Sequence, residues 1–447
     1  MQRVIPKSAI LYLLWLGLFI MALIILPSYL GSLIAKNQWQ VLQLLIVGFG
    51  IITLFFSEIR YTIICATASF ILCAVYYEPV AAAAFTLRWV FLITLATMAI
   101  AHWMLGRVQR YLRMIDFWAL AFLALAFYSE TYSIFPSLTR ERSIATAFFY
   151  LSVFWGVWIY VVGDPTRIRI ILQDFVSFSF VIFLLGFFLL GKGRFSGVFV
   201  NPNAVGAYAA ILVPIALWSY LCSRRRLALF LLLLTGIALV LSQSRAGMVS
   251  TLLGSGYFFM FYQRRYRKTV MLGLLFLIGC LFLYSELFGS SLIEQYFRFE
   301  TISTGSGRLE AWKEVMRLIR VRPWFGYGFG TEDQLFQRFD IVFQEHSGAY
   351  AHNSYIGLVS QLGLVGACIF YVPLFLFFFL RTFQLNGMAS GEGLWLEAAI
   401  QGSILGGLVN VFFESWLYSV GSSYTFSFWM FVVLSYYLSR QRHQENR

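Results

Sequence analysis

From Leu11 to Leu26, and again from Phe230 to Leu241, the chain carries no charged side chain and hardly a polar one. Nearly continuous apolar runs of this kind suit the hydrocarbon core of a bilayer, which a helix crosses in about 20 residues. A membrane β-barrel would instead show ~10-residue segments of alternating polarity, and no such alternation is visible. The fold class is therefore an all-α polytopic membrane protein. Composition says the same: 60% of the 447 residues are hydrophobic and only 12% are charged, against roughly 25% charged in a soluble domain. A soluble fold has too little interior to hide that much apolar surface. A soluble enzyme, a disordered chain and a nucleic-acid-binding domain are excluded.

Hydropathy predicts helices near 8–34, 39–56, 61–77, 79–105, 114–128, 141–162, 169–190, 203–221, 227–242, 247–262, 269–288, 353–380, 394–415 and 422–438, so about 12–14 transmembrane segments. The first apolar stretch is too long for the core of a cleaved signal peptide, and no small-residue cleavage site follows it. Four parts are expected: N-terminal transmembrane helices (1–190), helices carrying outer-face arginine motifs (191–288), a loop domain (289–352) and C-terminal transmembrane helices (353–447).

The net charge of +13 orients the bundle. With a cytoplasmic N-terminus, nineteen of the 33 Lys and Arg residues fall on inner ends and short inner loops, which satisfies the positive-inside rule. Both termini are then cytoplasmic, and the 289–352 loop faces outward. Arg88 falls inside the fourth segment, where a charge is costly and usually faces protein. The cysteines Cys65, Cys73, Cys222, Cys280 and Cys368 show no metal or redox spacing and read as small apolar core residues. The histidines His102, His346, His352 and His443 contain no pair at the spacing of a helical zinc site. No metal or cofactor is implied.

Within the outer loop, Gly307 to Pro323 has apolar residues Leu309, Trp312, Val315, Met316 and Ile319 at helical spacing. Lys313, Arg317 and Arg320 lie on another side, and Pro323 ends the pattern. This predicts an amphipathic helix at the membrane surface, its apolar face toward the bundle. Gly326, Gly328 and Gly330 then suggest a flexible, hairpin-like stretch.

A few outer cations stand out because topology does not require them. Arg194 lies in GKGRFSGVFVNPN, where Asn201 and Pro202 form an N-cap and first helical residue. The helix N-terminus beside Lys192 and Arg194 makes an anion site, or else a capped loop with an interfacial arginine. Arg245, in SQSRAG, is placed to hold a phosphate or to cap the preceding helix's carbonyls. Arg308 sits near the start of the surface helix, away from the apolar stripe, where a cation is disfavoured unless an anion is near. His352, in AHNSYIGLVSQLG, is suited to accept a proton or to serve as an interfacial structural residue. Together, one histidine and several arginines on one face suit gripping a diphosphate and deprotonating a sugar hydroxyl.

The segments GRFSGVFVNPN (193–203), SQSRAG (242–247), SGRLEAWKEVMRLIRVRPWFGYGFG (306–330) and HNSYIGLVSQLG (352–363), in this order, resemble the O-antigen ligase and O-antigen polymerase family of bacterial membrane glycosyltransferases. The resemblance covers about 190–415. It implies a GT-C-like fold and an inverting, metal-independent transfer on the periplasmic face of the bacterial inner membrane. The implied donor is a glycan on undecaprenyl diphosphate. The matching positions imply that Arg194, Arg245 and Arg308 bind the diphosphate and that His352 is the base. Lys192, Asn203, Arg88 and Glu414 are supporting residues; Glu414, read as a buried acid within the thirteenth helix, is expected to pair with Arg88 or to orient an arginine. The acceptor is a growing glycan for a polymerase, the favoured reading on helix count, or lipid A core for a ligase. A chain-length regulator is a further implied partner. A transporter or flippase is the reading from another class; His352 and the one-sided cations weigh against it.

Overall fold

The computed structural model describes residues 58–106, 112–189, 193–266, 268–269, 272–273, 307–343 and 350–445. The helices expected near 8–34, 39–56 and 269–288, and Lys192, lie outside these residues. The described residues form thirteen α-helices: α1 (Ile59–Leu72), α2 (Glu78–Met104), α3 (Met114–Tyr128), α4 (Pro136–Val161), α5 (Thr166–Phe188), α6 (Pro202–Leu221), α7 (Arg226–Ser242), α8 (Arg245–Tyr262), α9 (Arg308–Val321), α10 (Glu332–Arg338), α11 (Ser354–Asn386), α12 (Glu392–Asn410) and α13 (Thr425–Glu445). α4 contains a π-helical stretch at Leu151–Val157. Among the described residues, six helices (α2, α4, α5, α6, α11 and Met114–Thr131 around α3) are long and apolar enough to cross a membrane. The protein is an all-α polytopic membrane protein.

The centre of the bundle is made by α6, α8 and α12. Lipid tails are as apolar as leucine, so helices in a membrane associate through close packing of small residues. Gly206 of α6 meets Gly247 of α8 this way: a methyl group added at Gly247 would lie 2.2 Å from the Gly206 Cα. This contact falls at the fifth residue of α6 and the third of α8. It therefore draws together the N-terminal ends of α6 and α8, whose first turns carry Asn203 and Arg245.

The outer-loop elements lean on the same end. α9 buries Ala311, Val315, Leu318 and Ile319, while Leu309 and Met316 are exposed. The buried stripe is thus rotated from the expected one, and Arg308 sits at its head, in register with Ala311 and Val315. The Gly326–Gly330 stretch is buried and held firmly, not an open hairpin. Tyr327 and Gly328 donate backbone hydrogen bonds to the Ser360 and Gln361 carbonyls, and Leu364 donates to the Pro323 carbonyl. These bonds exist because α11 breaks at Gly363, whose φ of 65° and ψ of −170° free the local backbone groups. Arg142 of α4 pairs with Asp333 at 2.6 Å and also donates to the Gly330 carbonyl.

At the opposite end, Arg60 pairs with Asp174 at 2.6 Å, Arg169 with Glu392 at 2.7 Å, and Arg381 and Arg442 with Glu397. Of the cysteines, Cys65, Cys73 and Cys222 are half-buried and Cys368, in α11, is exposed, so the expectation of core residues does not hold for it. Cys280 lies outside the described residues.

Candidate active site

The site is assembled around one carboxylate, Glu414. α12 ends at Asn410, so Glu414 lies in the turn 411–424 and not in a helix, and its side chain is 21% exposed. The chain leaves the helix here because Ser354, at the start of α11, captures the turn's backbone: its amide donates to the Val411 carbonyl at 2.8 Å and its hydroxyl to the Glu414 carbonyl at 2.9 Å. Glu414 then accepts from three directions. Arg308 donates to Oε1 at 2.8 Å, Asn203 Nδ2 lies 3.4 Å from the same oxygen, and His352 Nδ1 lies 3.2 Å from Oε2.

His352 precedes the N-cap of α11. Asn353 caps that helix by accepting from the Tyr355 and Ile356 amides. The cap requires a sharp reversal, and His352 takes it with φ of +50°. A left-handed non-glycine residue is uncommon and costs conformational energy, so the surroundings must hold it there. Trp312 of α9 contributes by donating to the Ala351 carbonyl at 2.8 Å, which ties the surface helix to the histidine.

Arg194 enters from the α5–α6 connection. It donates to the Ser242 carbonyl at 2.9 Å, to Asn203 Oδ1 at 3.1 Å and to the Gln243 carbonyl at 3.4 Å. Arg194 thus caps the carbonyl end of α7, with Gln243 in a left-handed turn at φ of 52°. Arg245 is the first residue of α8, whose N-cap Ser244 accepts from the Gly247 amide. Asn201 caps α6 by accepting from Asn203 at 2.8 Å, as its position before Pro202 suggested.

Five of the expected residues thus meet in one hydrogen-bonded network, Arg194, Asn203, Arg308, His352 and Glu414, and Arg245 stands at the start of α8, two residues before the Gly206–Gly247 contact. Arg88 is not among them. It is buried in α2, donates to the Gly421 carbonyl at 2.8 Å, and stacks 3.9 Å from the Phe85 ring centroid. It holds the far side of the turn that carries Glu414, so the expected Arg88–Glu414 pair does not form.

A second carboxylate, Glu332 at the start of α10, escaped the sequence reading. It is buried at 4% exposure. Burial pushes its carboxyl above the ordinary range, opposed by hydrogen bonds from Tyr418, Ser415 and the Ala351 amide. Tyr418 in turn is pushed well above the usual phenol range by burial and by the charge of Glu332. In sequence, Glu332 looks like an ordinary acid favoured in a helix's first turn; nothing local reports its burial.

Fold and site together define a class: a multi-pass helical membrane protein with a polar, arginine-rich site at one end of its bundle. Residues 229–371 match the family model described as O-antigen ligase, so this stretch of the chain is similar to that family. The matched stretch includes Arg245, Arg308 and His352. No curated protein matches the chain.

Proposed function

We propose that the protein is a membrane glycosyltransferase that moves a glycan from undecaprenyl diphosphate to an acceptor sugar hydroxyl on the periplasmic face of the inner membrane, acting as a surface-polysaccharide polymerase. The observation that carries this reading is the junction of Arg308, His352 and, through Asn203, Arg194 on Glu414. At neutral pH an ionised carboxylate only accepts hydrogen bonds, so the facing His352 Nδ1 carries a proton and Nε2 carries the lone pair. Nε2 takes the proton of the acceptor hydroxyl as its oxygen attacks the anomeric carbon. The bond from that carbon to the diphosphate oxygen breaks, and the lipid diphosphate leaves with the electron pair. Arg194, Arg245 and Arg308 offset the charge that develops on it. Direct displacement inverts the anomeric centre and needs no metal. Before the donor arrives, Glu414 keeps mutually repelling cations in place.

The second reading, a ligase that transfers the finished glycan to lipid A core, draws support from the description of the matched family model. The donor half of the reaction is the same. Gene deletion separates them: loss of a polymerase leaves single repeats on the lipid core, and loss of a ligase leaves lipid-linked polymer beside bare core. The shared chemistry is tested with purified protein, a defined lipid-linked donor and an acceptor. Arg194→Ala, Arg245→Ala and Arg308→Ala are each expected to raise the donor KM about tenfold or more, the worth of a charge-assisted contact. Unchanged donor kinetics in all three variants would remove the diphosphate clamp, and absence of any glycosyl transfer together with lipid-linked glycan flux in vesicles would favour the transporter.

A further inference from the structure

We propose that Glu332 is the positioning residue of this site, the group that holds His352 in its strained backbone conformation against Glu414. This rests on the reading of His352 as the base. The amides on both sides of the histidine end on a single oxygen of Glu332. The Ala351 amide donates to Oε1 at 3.2 Å; the Asn353 amide donates to Ser415 Oγ at 3.0 Å, and that hydroxyl donates to the same Oε1 at 2.8 Å. The histidine is thus suspended between two tethers with one origin. The origin is itself anchored: Tyr418 donates to Oε2 at 2.5 Å and Gln361 at 3.3 Å, while Gln361 Oε1 accepts from the Gly330 amide at 2.6 Å.

The chemistry of the four contacts explains why a carboxylate stands here. Two of the neighbours, the Ala351 amide and Gln361 Nε2, can only donate, and one falls on each oxygen, so both oxygens accept. An amide would turn its NH2 toward one of these donors. Among the described residues no Lys or Arg pairs with Glu332; burying a carboxylate in that way is costly, and a glutamate placed only to fill space would not justify it. What the contacts achieve is a fixed path for residues 351–353, whose middle residue sits at φ of +50°. Ser415 also lies next to Glu414 in the turn 411–424, so one carboxylate sets the relative position of the histidine and its hydrogen-bond partner.

The test uses the full-length protein in detergent or nanodiscs with a lipid-linked donor and acceptor. Glu332→Gln is expected to lower kcat about 10- to 100-fold, the usual result of misplacing a reacting group by about 1 Å, with the donor KM unchanged. Glu332→Asp recovers part of the loss. Because Glu332 acts through His352, the double variant Glu332→Gln/His352→Ala is expected to be no slower than His352→Ala alone. A loss that appears in donor KM, or that multiplies with the His352→Ala loss, overturns the assignment. Should Glu332→Gln fail to fold, Ser415→Ala removes only the second tether and is expected to give a smaller loss, again in kcat alone; an unaltered kcat there overturns it too. Full activity of His352→Ala has a different meaning: it removes the base reading itself.

Discussion

Replacing His352 with alanine is expected to lower the rate of glycosyl transfer by about 10²- to 10⁴-fold, the range for losing a positioned general base, while donor binding persists. The separation of the two effects follows from geometry. The histidine meets Glu414 through Oε2, whereas Arg308 and Asn203 meet it through Oε1. Removing the ring leaves the arginine side of the network connected. Single-turnover rates and donor KM, measured on the same preparation, check this; transfer at the wild-type rate would sink the base assignment. Histidine suits the task because it changes protonation near neutral pH, and the carboxylate at 3.2 Å stabilises the imidazolium that forms when the acceptor proton arrives. Glu414→Gln is expected to be more harmful than its position in a half-buried turn suggests, because it weakens the hold on both Arg308 and His352. The combined rise in donor KM and fall in kcat is its signature.

Gly363→Ala is expected to be the most destabilising single-methyl change in the described part of the chain. The residue sits at φ of +65°, and an added Cβ would lie 2.1 Å from the Trp324 carbonyl carbon and 2.3 Å from the Phe325 nitrogen. Both obstacles are backbone, so no side chain can move aside. Strained dihedrals and overpacking together put the cost at about 3 kcal/mol or more. The lesion also reaches the site. The break at Gly363 lets residues 323–328 bond to α11, and Gln361 beside it accepts from the Gly330 amide and donates to Glu332, the group that tethers His352. Thermal unfolding in detergent, followed by size-exclusion chromatography, should show a melting temperature lower by about 5 °C or more. A melting curve identical to wild type would mean that the wedge of 323–328 does not support α11.

Helix positions were largely legible in the sequence, because bilayer partition depends on the local sum of apolar side chains. The expected segments at 79–105, 114–128, 203–221 and 227–242 begin and end within a residue or so of α2, α3, α6 and α7. The N-cap at Asn201 was legible for a similar reason: its partner is two residues away. The amphipathic helix was legible in extent but not in rotation. Its stripe of candidate residues was wide, and only contacts with Ala351 and the bundle decide which edge is buried. Glu414 was misplaced into a helix because the signals that end α12 are hydroxyl and amide groups of Ser354, far along the chain. The same distance hid the destination of Arg88.

The solvent of the fold and the short list of residues able to do chemistry are written in local sequence. In a chain with 12% charged residues, each outer cation is conspicuous, since charge is tolerated in or near a bilayer only at a cost. Which of them meet, and how they are held, depends on packing across the whole fold. Arg308 and Glu414 are 106 positions apart, Asn203 and Glu414 are 211. Contacts over such separations come from helix ends brought together by packing at points such as Gly206 and Gly247, and no local pattern encodes them. Glu332 shows this most plainly: its residue type and position are ordinary, and its role arises from four donors supplied by distant parts of the chain and enclosed by the fold.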